Sequence, residues 1–189
     1  MAITIQDDVT AGKMMLYLAE KYQLELITVD ARVTLLGEGE KARRIYFIKE
    51  GCLRLWMNNN GKEITNQFFF EGSLVASLES VLTNQPSDFY LESLEKSVLY
   101  VLEKERFEQL WEEDAEFKAW FDHYILKRFI YYSKHLLSFL RDKPEERYRN
   151  LLQKNPDIFQ RIPQHYIATY LGITAVSLSR IRNKTAKSK

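Results

Sequence analysis

The stretch that decides the fold is Gln164–Arg182, QHYIATYLGITAVSLSRIR, which reads as two short amphipathic helices joined by Gly172. A helix-turn-helix needs a small residue at its fifth position, where the helices cross, and a glycine at its ninth, where the backbone turns left-handed. Ala168 and Gly172 occupy those two positions. The pattern therefore predicts a helix-turn-helix, with an ordinary helical hairpin as the alternative. The remaining positions of its small shared core are apolar: Ile167, Leu171, Ile173, Leu178 and Ile181.

The second helix of this pair has the side chains that a DNA major groove can accept. Pro163 and Thr174 stand where the two helices should begin. Arg180 can pair bidentately with guanine, and Ala175 or Val176 can touch a thymine methyl group. Five residues are expected to contact phosphate, which positions the protein without reading sequence: Gln164, His165, Ser177, Arg182 and Lys184. The full set predicted to contact DNA is Gln164, His165, Thr174, Ala175, Val176, Ser177, Ser179, Arg180, Arg182, Asn183 and Lys184.

The charge distribution supports a polyanionic partner for the end of the chain. The 189 residues have a formal net charge of only +1. Residues 141–189, however, contain eleven Lys and Arg against four Asp and Glu, a net of +7 that leaves the remainder at −6. This asymmetry indicates two modules, the second facing a polyanion, although a solvated charged surface is the plainer alternative.

The first half of the chain has the sequence pattern of a β-sandwich or barrel. From about Leu24 to Leu102, short β-branched and aromatic runs are punctuated by glycines at a spacing of 10 to 12 residues. The tetrapeptide Asn58–Gly61, NNNG, predicts a hairpin turn, because Asn and Gly tolerate positive φ. A short amphipathic helix is expected over residues 13–23, and no role can be assigned to residues 1–23.

A long helix is predicted from roughly Ala115 to Leu140, and its apolar residues are too widely distributed for a half-solvated helix. We expect one face to pack on the sandwich and another on a second copy of the chain, with burial in its own domain as the alternative. Pro144 should begin the next helix, which places a hinge at residues 141–144. The residues predicted to line the face for the second copy are Phe121, Ile125, Phe129, Tyr132, Leu136 and Phe139.

A β-rich front, a long helix, a hinge and a C-terminal helix-turn-helix together resemble the Crp/Fnr family of bacterial transcription regulators. The stretches LGEGEKARRIYFIKEGCLRLW and IPQHYIATYLGITAVSLSRIR carry this resemblance. It implies an α+β fold: a cyclic-nucleotide-binding-like β-roll of the double-stranded β-helix or jelly-roll kind, a long dimerisation helix and a C-terminal winged helix-turn-helix. The corresponding division is 1–23, an N-terminal helical segment; 24–114, the β-roll; 115–141, the dimerisation helix; and 142–189, the DNA-binding domain.

The nucleotide-binding cassette of that family is altered here. Aligned from Gly72, Ala76-Ser77-Leu78 occupies the Gly-Glu-Leu position of the cassette, and Ser87-Asp88 occupies its Arg-Ser position. The ribose-binding glutamate and the phosphate-pairing arginine are both missing, so standard binding of cyclic AMP is not expected. Six residues are predicted to line a pocket for another small effector, unless their own side chains fill it: Ser77, Ser87, Asp88, Tyr90, Tyr132 and Ser133.

Several function classes are not expected. The single cysteine, Cys52, excludes a disulfide framework and a cysteine-ligated iron–sulfur cluster within one chain, and it fits a cytoplasmic protein. The histidines His123, His135 and His165 lie on predicted helices, so neither haem nor a metal site is indicated. There is no P-loop, HExxH, CxxC or GxSxG motif, so we expect no enzyme. No apolar run is long enough to span a bilayer.

The sequence therefore predicts a homodimeric, sequence-specific DNA-binding transcription regulator without a known cofactor. Its expected partners are double-stranded DNA and a second copy, with RNA polymerase as a candidate. The alternative is a ligand-binding β-roll module whose terminal helices form a protein-interaction arm.

Overall fold

The computed structural model describes the backbone of residues 9–187 and the side chains of residues 12–185. Two four-stranded antiparallel sheets pack face to face as a β-roll. One sheet has the order β1 (Glu25–Val29), β8 (Ser97–Glu103), β3 (Arg44–Glu50) and β6 (Leu74–Val75). The other has the order β2 (Thr34–Leu36), β7 (Tyr90–Ser93), β4 (Leu53–Asn59) and β5 (Lys62–Phe69). This confirms the predicted α+β class with an N-terminal β-roll.

The hairpin that joins β4 to β5 turns where the sequence predicts it. Asn60 has φ +53° and Gly61 has φ +84°, so two successive residues adopt the left-handed conformation that a tight two-residue hairpin requires. Asn58 Oδ1 accepts a hydrogen bond from Gly61 N at 2.8 Å and closes the turn. The turn is therefore limited to two residues. Strand β5 then continues to Phe69, beside the C-terminal helices.

The N-terminal helix α1 (Val9–Lys21) is part of the β-roll core. Met15 and Leu18 are buried in the same cluster as the sheet interior, and Ala19 is also buried. Residues 1–8 of the predicted N-terminal segment lie outside the described residues. A short helix, α2 (Leu78–Thr83), connects β6 towards β7, and α3 (Lys104–Glu113) follows β8. Val81 of α2 and Phe107 and Leu110 of α3 are buried in the same core.

The long helix is α4 (Ala115–Arg141), 27 residues and therefore about 40 Å long. The side chain of Asp114 caps it by accepting hydrogen bonds from Glu116 N at 3.0 Å and Phe117 N at 2.9 Å. Lys21 and Tyr22 at the end of α1 also bind this carboxylate, and the hydrogen bond from Lys21 is the main reason that the pKa of Asp114 is lowered. The start of α4 is thus tied to α1.

Four helices follow: α5 (Pro144–Lys154), α6 (Ile158–Arg161), α7 (Gln164–Tyr170) and α8 (Ala175–Lys187). As predicted, Pro144 begins α5. No strand follows β8 within residues 9–187, so the expected wing is absent from the described part of the chain. The physical reason is length: the segment between α5 and α7 has only nine residues, and it forms the single helical turn α6 instead of a hairpin.

The protein has a second hydrophobic core, which crosses the predicted boundary at residue 142. Cys52, Phe68 and Phe70 of the β-roll lie in one buried cluster with Ile167 and Leu178 of the C-terminal helices. The outer face of the β2–β7–β4–β5 sheet is therefore covered by helices α5–α8, which we call the C-terminal unit.

Candidate nucleic-acid interface and ligand sites

The helices α7 and α8 have the geometry that the sequence pattern predicts. Gly172 adopts φ +66°, and Thr174 Oγ1 accepts a hydrogen bond from Ser177 N at 3.1 Å, which caps the start of α8. Ile167, Ala168 and Leu178 are almost completely buried between the helices. A Cβ atom on Gly172 would lie 2.7 Å from Cε1 of Phe139, so the turn also sits directly against the end of α4.

Most residues predicted to contact DNA form an exposed surface. Val176 is 61% exposed. Ser177 is half-buried, and its hydroxyl oxygen accepts a hydrogen bond from Thr174 Oγ1, the residue that caps α8. The exposed members of the predicted set are Gln164, His165, Thr174, Ala175, Val176, Ser179, Arg180, Asn183 and Lys184.

Two of the predicted phosphate contacts are engaged within the C-terminal unit. The Arg182 guanidinium lies 4.9 Å from the centroid of the Phe159 ring, where it makes a cation–π contact. Lys184 Nζ donates to Glu145 Oε1 at 2.8 Å. Both side chains therefore brace α8 against α5 and α6 in this arrangement, and Arg180 is left as the exposed arginine of the helix.

The sequence did not indicate how the C-terminal unit is attached to the β-roll. Arg54 of β4 is fully buried, and its Cζ lies 3.6 Å from the centroid of the Tyr166 ring on α7. Thr65 N on β5 donates to Thr169 Oγ1 at 3.2 Å. An arginine in a strand of alternating pattern is expected to face solvent, so no local signal could have identified this contact.

A second contact lies at the opposite edge of the same interface. Arg161 of α6 binds the carboxylates of Glu71 and Glu95, with Nη2 2.7 Å from Glu71 Oε1. These two glutamates stand in the turns after β5 and after β7. The C-terminal unit is therefore held to the β-roll by two separate arginine sites.

The residues predicted for an effector pocket make several separate side-chain contacts. Ser87 Oγ donates to Ser77 Oγ at 2.9 Å, and both hydroxyls are buried. Asp88 is exposed, and Tyr90 stacks on Trp56 with ring centroids 4.2 Å apart.

On α4, the Tyr132 hydroxyl accepts a hydrogen bond from Arg128 Nη2 at 2.7 Å, and Ser133 lies beside it in sequence. In the described part of the chain, no hydrogen bond or ring contact joins Tyr132 or Ser133 to the serine pair. The serines thus pair with each other, and a pocket lined by all six residues stays a prediction.

The predicted dimer face of α4 is also corrected by the structure. Phe121 is buried in the core of the β-roll and Ile125 packs against that core. Phe139 contacts His135 and the Arg147 guanidinium. Of the six predicted residues, Phe129 and Leu136 are strongly exposed, at 67% and 62%. A spacing of 3.6 residues placed all six on one stripe, but α4 turns its first half towards its own β-roll.

Four of the exposed apolar residues of α4 follow a different repeat, while Leu137, 57% exposed, lies outside it. Leu126 and Leu140 are 56% and 77% exposed and stand two heptads apart, with Ser133 midway between them. Phe129 and Leu136 form the companion row, seven residues apart. A heptad count, with 3.5 residues per turn in place of 3.6, would have found this stripe in the sequence.

Two kinds of feature are absent from the described residues. No helix within residues 9–187 is long and apolar enough to cross a membrane. The same part of the chain contains no group of three or more His, Cys, Asp or Glu side chains placed to hold a metal ion.

The architecture is similar to that of known proteins. Residues 26–114 match the family model of the cyclic nucleotide-binding domain. No curated protein matches the chain in sequence. Among solved structures, FixK2 from Bradyrhizobium japonicum has a TM-score of 0.75 and 15% identity, over 87% of this chain and 85% of its own.

Two other structures are similar over most of the chain. The c-di-GMP responsive global regulator CLP from Xanthomonas campestris has a TM-score of 0.70 and 15% identity, over 94% of this chain and 92% of its own. A CooA mutant from Carboxydothermus hydrogenoformans has a TM-score of 0.68 and 14% identity, over 88% and 78%. Residues 26–114 thus match the cyclic nucleotide-binding domain, and the chain as a whole shares its fold with these three structures.

Proposed function

We propose that this protein is a homodimeric, sequence-specific DNA-binding transcription regulator of the Crp/Fnr type. The observation that carries the proposal is the outer surface of α8. Arg180 is exposed there beside Val176, Ser179 and Asn183, while the opposite side of the helix is buried against α7. A guanidinium, a small apolar side chain and short polar side chains on one exposed helix face are the groups that read base edges in a major groove.

The exposed stripe on α4 supports the proposal that the protein is a homodimer. Two copies of α4 packed in parallel would bury the heptad rows of Leu126, Phe129, Leu136 and Leu140 against each other. A parallel pair gives a two-fold axis along the helices, so the two α8 helices emerge on the same side. Such a dimer reads two half-sites that are about one helical turn of DNA, or roughly 34 Å, apart.

The proposal excludes standard control by cyclic AMP. A bound phosphate would meet the Ser77–Ser87 pair, whose hydroxyls already satisfy each other, and the carboxylate of Asp88 nearby in sequence. Without a guanidinium, such an anion is not compensated. Calorimetric titration with cyclic AMP is expected to give no heat of binding that depends on Ser77, Ser87 or Asp88.

The proposed function is tested by selecting bound sequences from a random duplex library with the purified chain at about 150 mM salt. The expected result is a two-fold symmetric site with half-sites about 10 bp apart. A folded protein that recovers no sequence preference would contradict the proposal and would favour the protein-interaction arm. Contact with RNA polymerase and a cytoplasmic location are expectations that belong to the same proposal.

A further inference from the structure

A cavity of about 260 Å³ lies where the β-roll, the long helix and the C-terminal unit meet. Strand β5, helix α4, helix α5 and helix α7 all contribute to its wall. None of the six residues predicted for an effector pocket lines it. Its polar and charged lining includes Gln67, Tyr131, Lys134, His135, Arg147 and Lys154.

The lining carries positive charge without a compensating carboxylate. No Asp or Glu is among the residues that form the wall. Lys134, Arg147 and Lys154 form no ion pair within 4.0 Å with any carboxylate of the described residues. The Arg147 guanidinium donates instead to the backbone carbonyl oxygen atoms of Leu171, at 3.0 and 3.2 Å, and Asp142, at 2.8 Å. These neutral partners hold the cation in place and leave its charge available.

The histidine in the wall responds to this charge. Burial, followed by the positive charges of Lys154 and Arg147, lowers the pKa of His135 to about 4. His135 is thus neutral near pH 7, stacked on Tyr170 with ring centroids 4.8 Å apart. Its environment supports the view that the cavity is a region of uncompensated positive potential.

The rest of the wall fits an organic body. Phe68, Leu151 and Leu171 supply apolar surface. Gln67 is only 2% exposed, and its Oε1 has no hydrogen-bond partner among the described residues. An unpaired buried amide oxygen is costly, and a donor group on a ligand would satisfy it. A few convergent polar groups in a mainly apolar cavity are typical of small-molecule sites.

We propose that this cavity binds a small organic anion, a phosphate or a carboxylate with a compact apolar or aromatic body and a hydrogen-bond donor. The anionic group lies among Lys134, Arg147 and Lys154, and the donor reaches Gln67. Such a ligand contacts the β-roll, α4 and the C-terminal unit at once, so its binding stabilises this arrangement of the three parts. The site is separate from the altered nucleotide cassette at Ala76–Leu78 and Ser87–Asp88, and it gives the DNA-binding helices an effector of their own.

The test measures ligand binding to the full chain without DNA. Its result therefore does not depend on whether the proposed function is correct. The probes are AMP for the phosphate class, phenylpyruvate for the carboxylate class, and adenosine as an uncharged match for AMP. At ten times its Kd, a binding anion is expected to raise Tm by about 3–6 °C. Adenosine should give no shift in Tm. The anion that raises Tm identifies whether the ligand is a phosphate or a carboxylate.

Two double variants with equal charge change decide whether the response belongs to this cavity. Lys134→Glu combined with Lys154→Glu should abolish the shift in Tm. Lys41→Glu combined with Lys96→Glu, at two exposed lysines of the β-roll, should retain it. The proposal is overturned if neither anion changes Tm, or if both double variants respond alike.

Discussion

The guanidinium of Arg54 lies with its Cζ 3.6 Å from the centroid of the Tyr166 ring, 112 positions further along the chain. The arginine is fully buried, and its Nη2 lies 2.7 Å from a carboxylate oxygen of each of Glu63 and Glu92. The contact with Glu63 is a hydrogen bond, whereas that with Glu92 is an ion pair without hydrogen-bond geometry. The sheet thus holds one cation in place, and the first helix of the C-terminal pair closes over it.

Replacing Tyr166 by Ala should loosen this attachment, because a desolvated cation–π contact contributes about 2 kcal/mol. We expect the free energy of unfolding to fall by about that amount in urea denaturation. Tyr166→Phe retains the ring and is the matched control, which should stay close to the parent protein. Equal losses for both variants would show that the hydroxyl, and not the ring, carries the contact.

Gly172→Ala should be among the most damaging small substitutions in the chain. The residue has φ +66°, which costs a side chain about 1–2 kcal/mol, and the new Cβ would meet the Phe139 ring at 2.7 Å. We expect a loss of Tm and of specific DNA binding together. The double variant with Phe139→Leu relieves the contact but not the backbone strain, so it should recover only part of the loss.

Leu136→Glu should prevent dimer formation, because each copy would bury an unpaired carboxylate in the proposed interface. The expected rise in the dimer dissociation constant is about 100-fold or more, measured by sedimentation. Leu82→Glu is the matched control, since Leu82 is 61% exposed on α2 and lies away from the stripe. A Leu136→Glu protein that still sediments as a dimer would show that a different surface holds the copies together.

Arg180→Ala should weaken specific DNA binding by about 1–3 kcal/mol and relax the sequence preference at one position of each half-site. Arg180→Lys keeps the charge and loses the bidentate geometry, so it should retain non-specific affinity but still lose discrimination. Fluorescence anisotropy with the selected site and single-base variants measures both effects. Undiminished discrimination in either variant would exclude Arg180 as a base-reading residue.

His135 should make the protein less stable as the pH falls. Its pKa is about 4 in the folded state and 6.5 as a free side chain, so the unfolded chain binds a proton first. Stability from this group is complete above about pH 6.5 and is lost as the pH falls towards 4, with a total on the order of 3 kcal/mol.

Denaturation of the parent protein and of His135→Gln across that pH range measures this contribution as a difference in slope. The variant should lack that part of the pH dependence. Parallel slopes would contradict the assignment of the loss to His135. Binding of an anion in the cavity should reduce the slope of the parent protein, because a negative charge favours the protonated imidazole.

Much of the local structure was predictable because its causes are local. Asn60 and Gly61 turn the β4–β5 hairpin, Pro144 begins α5, and Thr174 caps α8 where the sequence indicates. Each of these depends on one residue's conformational preference or on a hydrogen bond across three positions. The helix pair itself was predictable for the same reason, since Gly172 fixes its turn.

The errors concern surfaces that depend on distant partners. The predicted stripe on α4 was wrong at Phe121 and Ile125, because the β-roll covers the first half of the helix and not the second. The periodicity of the sequence does not indicate which of two apolar faces of a helix such as α4 another element will cover.

The sequence by itself determined the order of the elements, the β-roll, the long helix and the helix pair that ends at α8. These follow from backbone preferences and from apolar periodicity, which act over a few residues. Only the tertiary structure decided that Arg54 meets Tyr166, that a leucine stripe on α4 stays exposed, and that Lys134, Arg147 and Lys154 surround one cavity. Those relations join residues far apart in sequence, and they exist only after the chain has closed its sheets and buried its two cores.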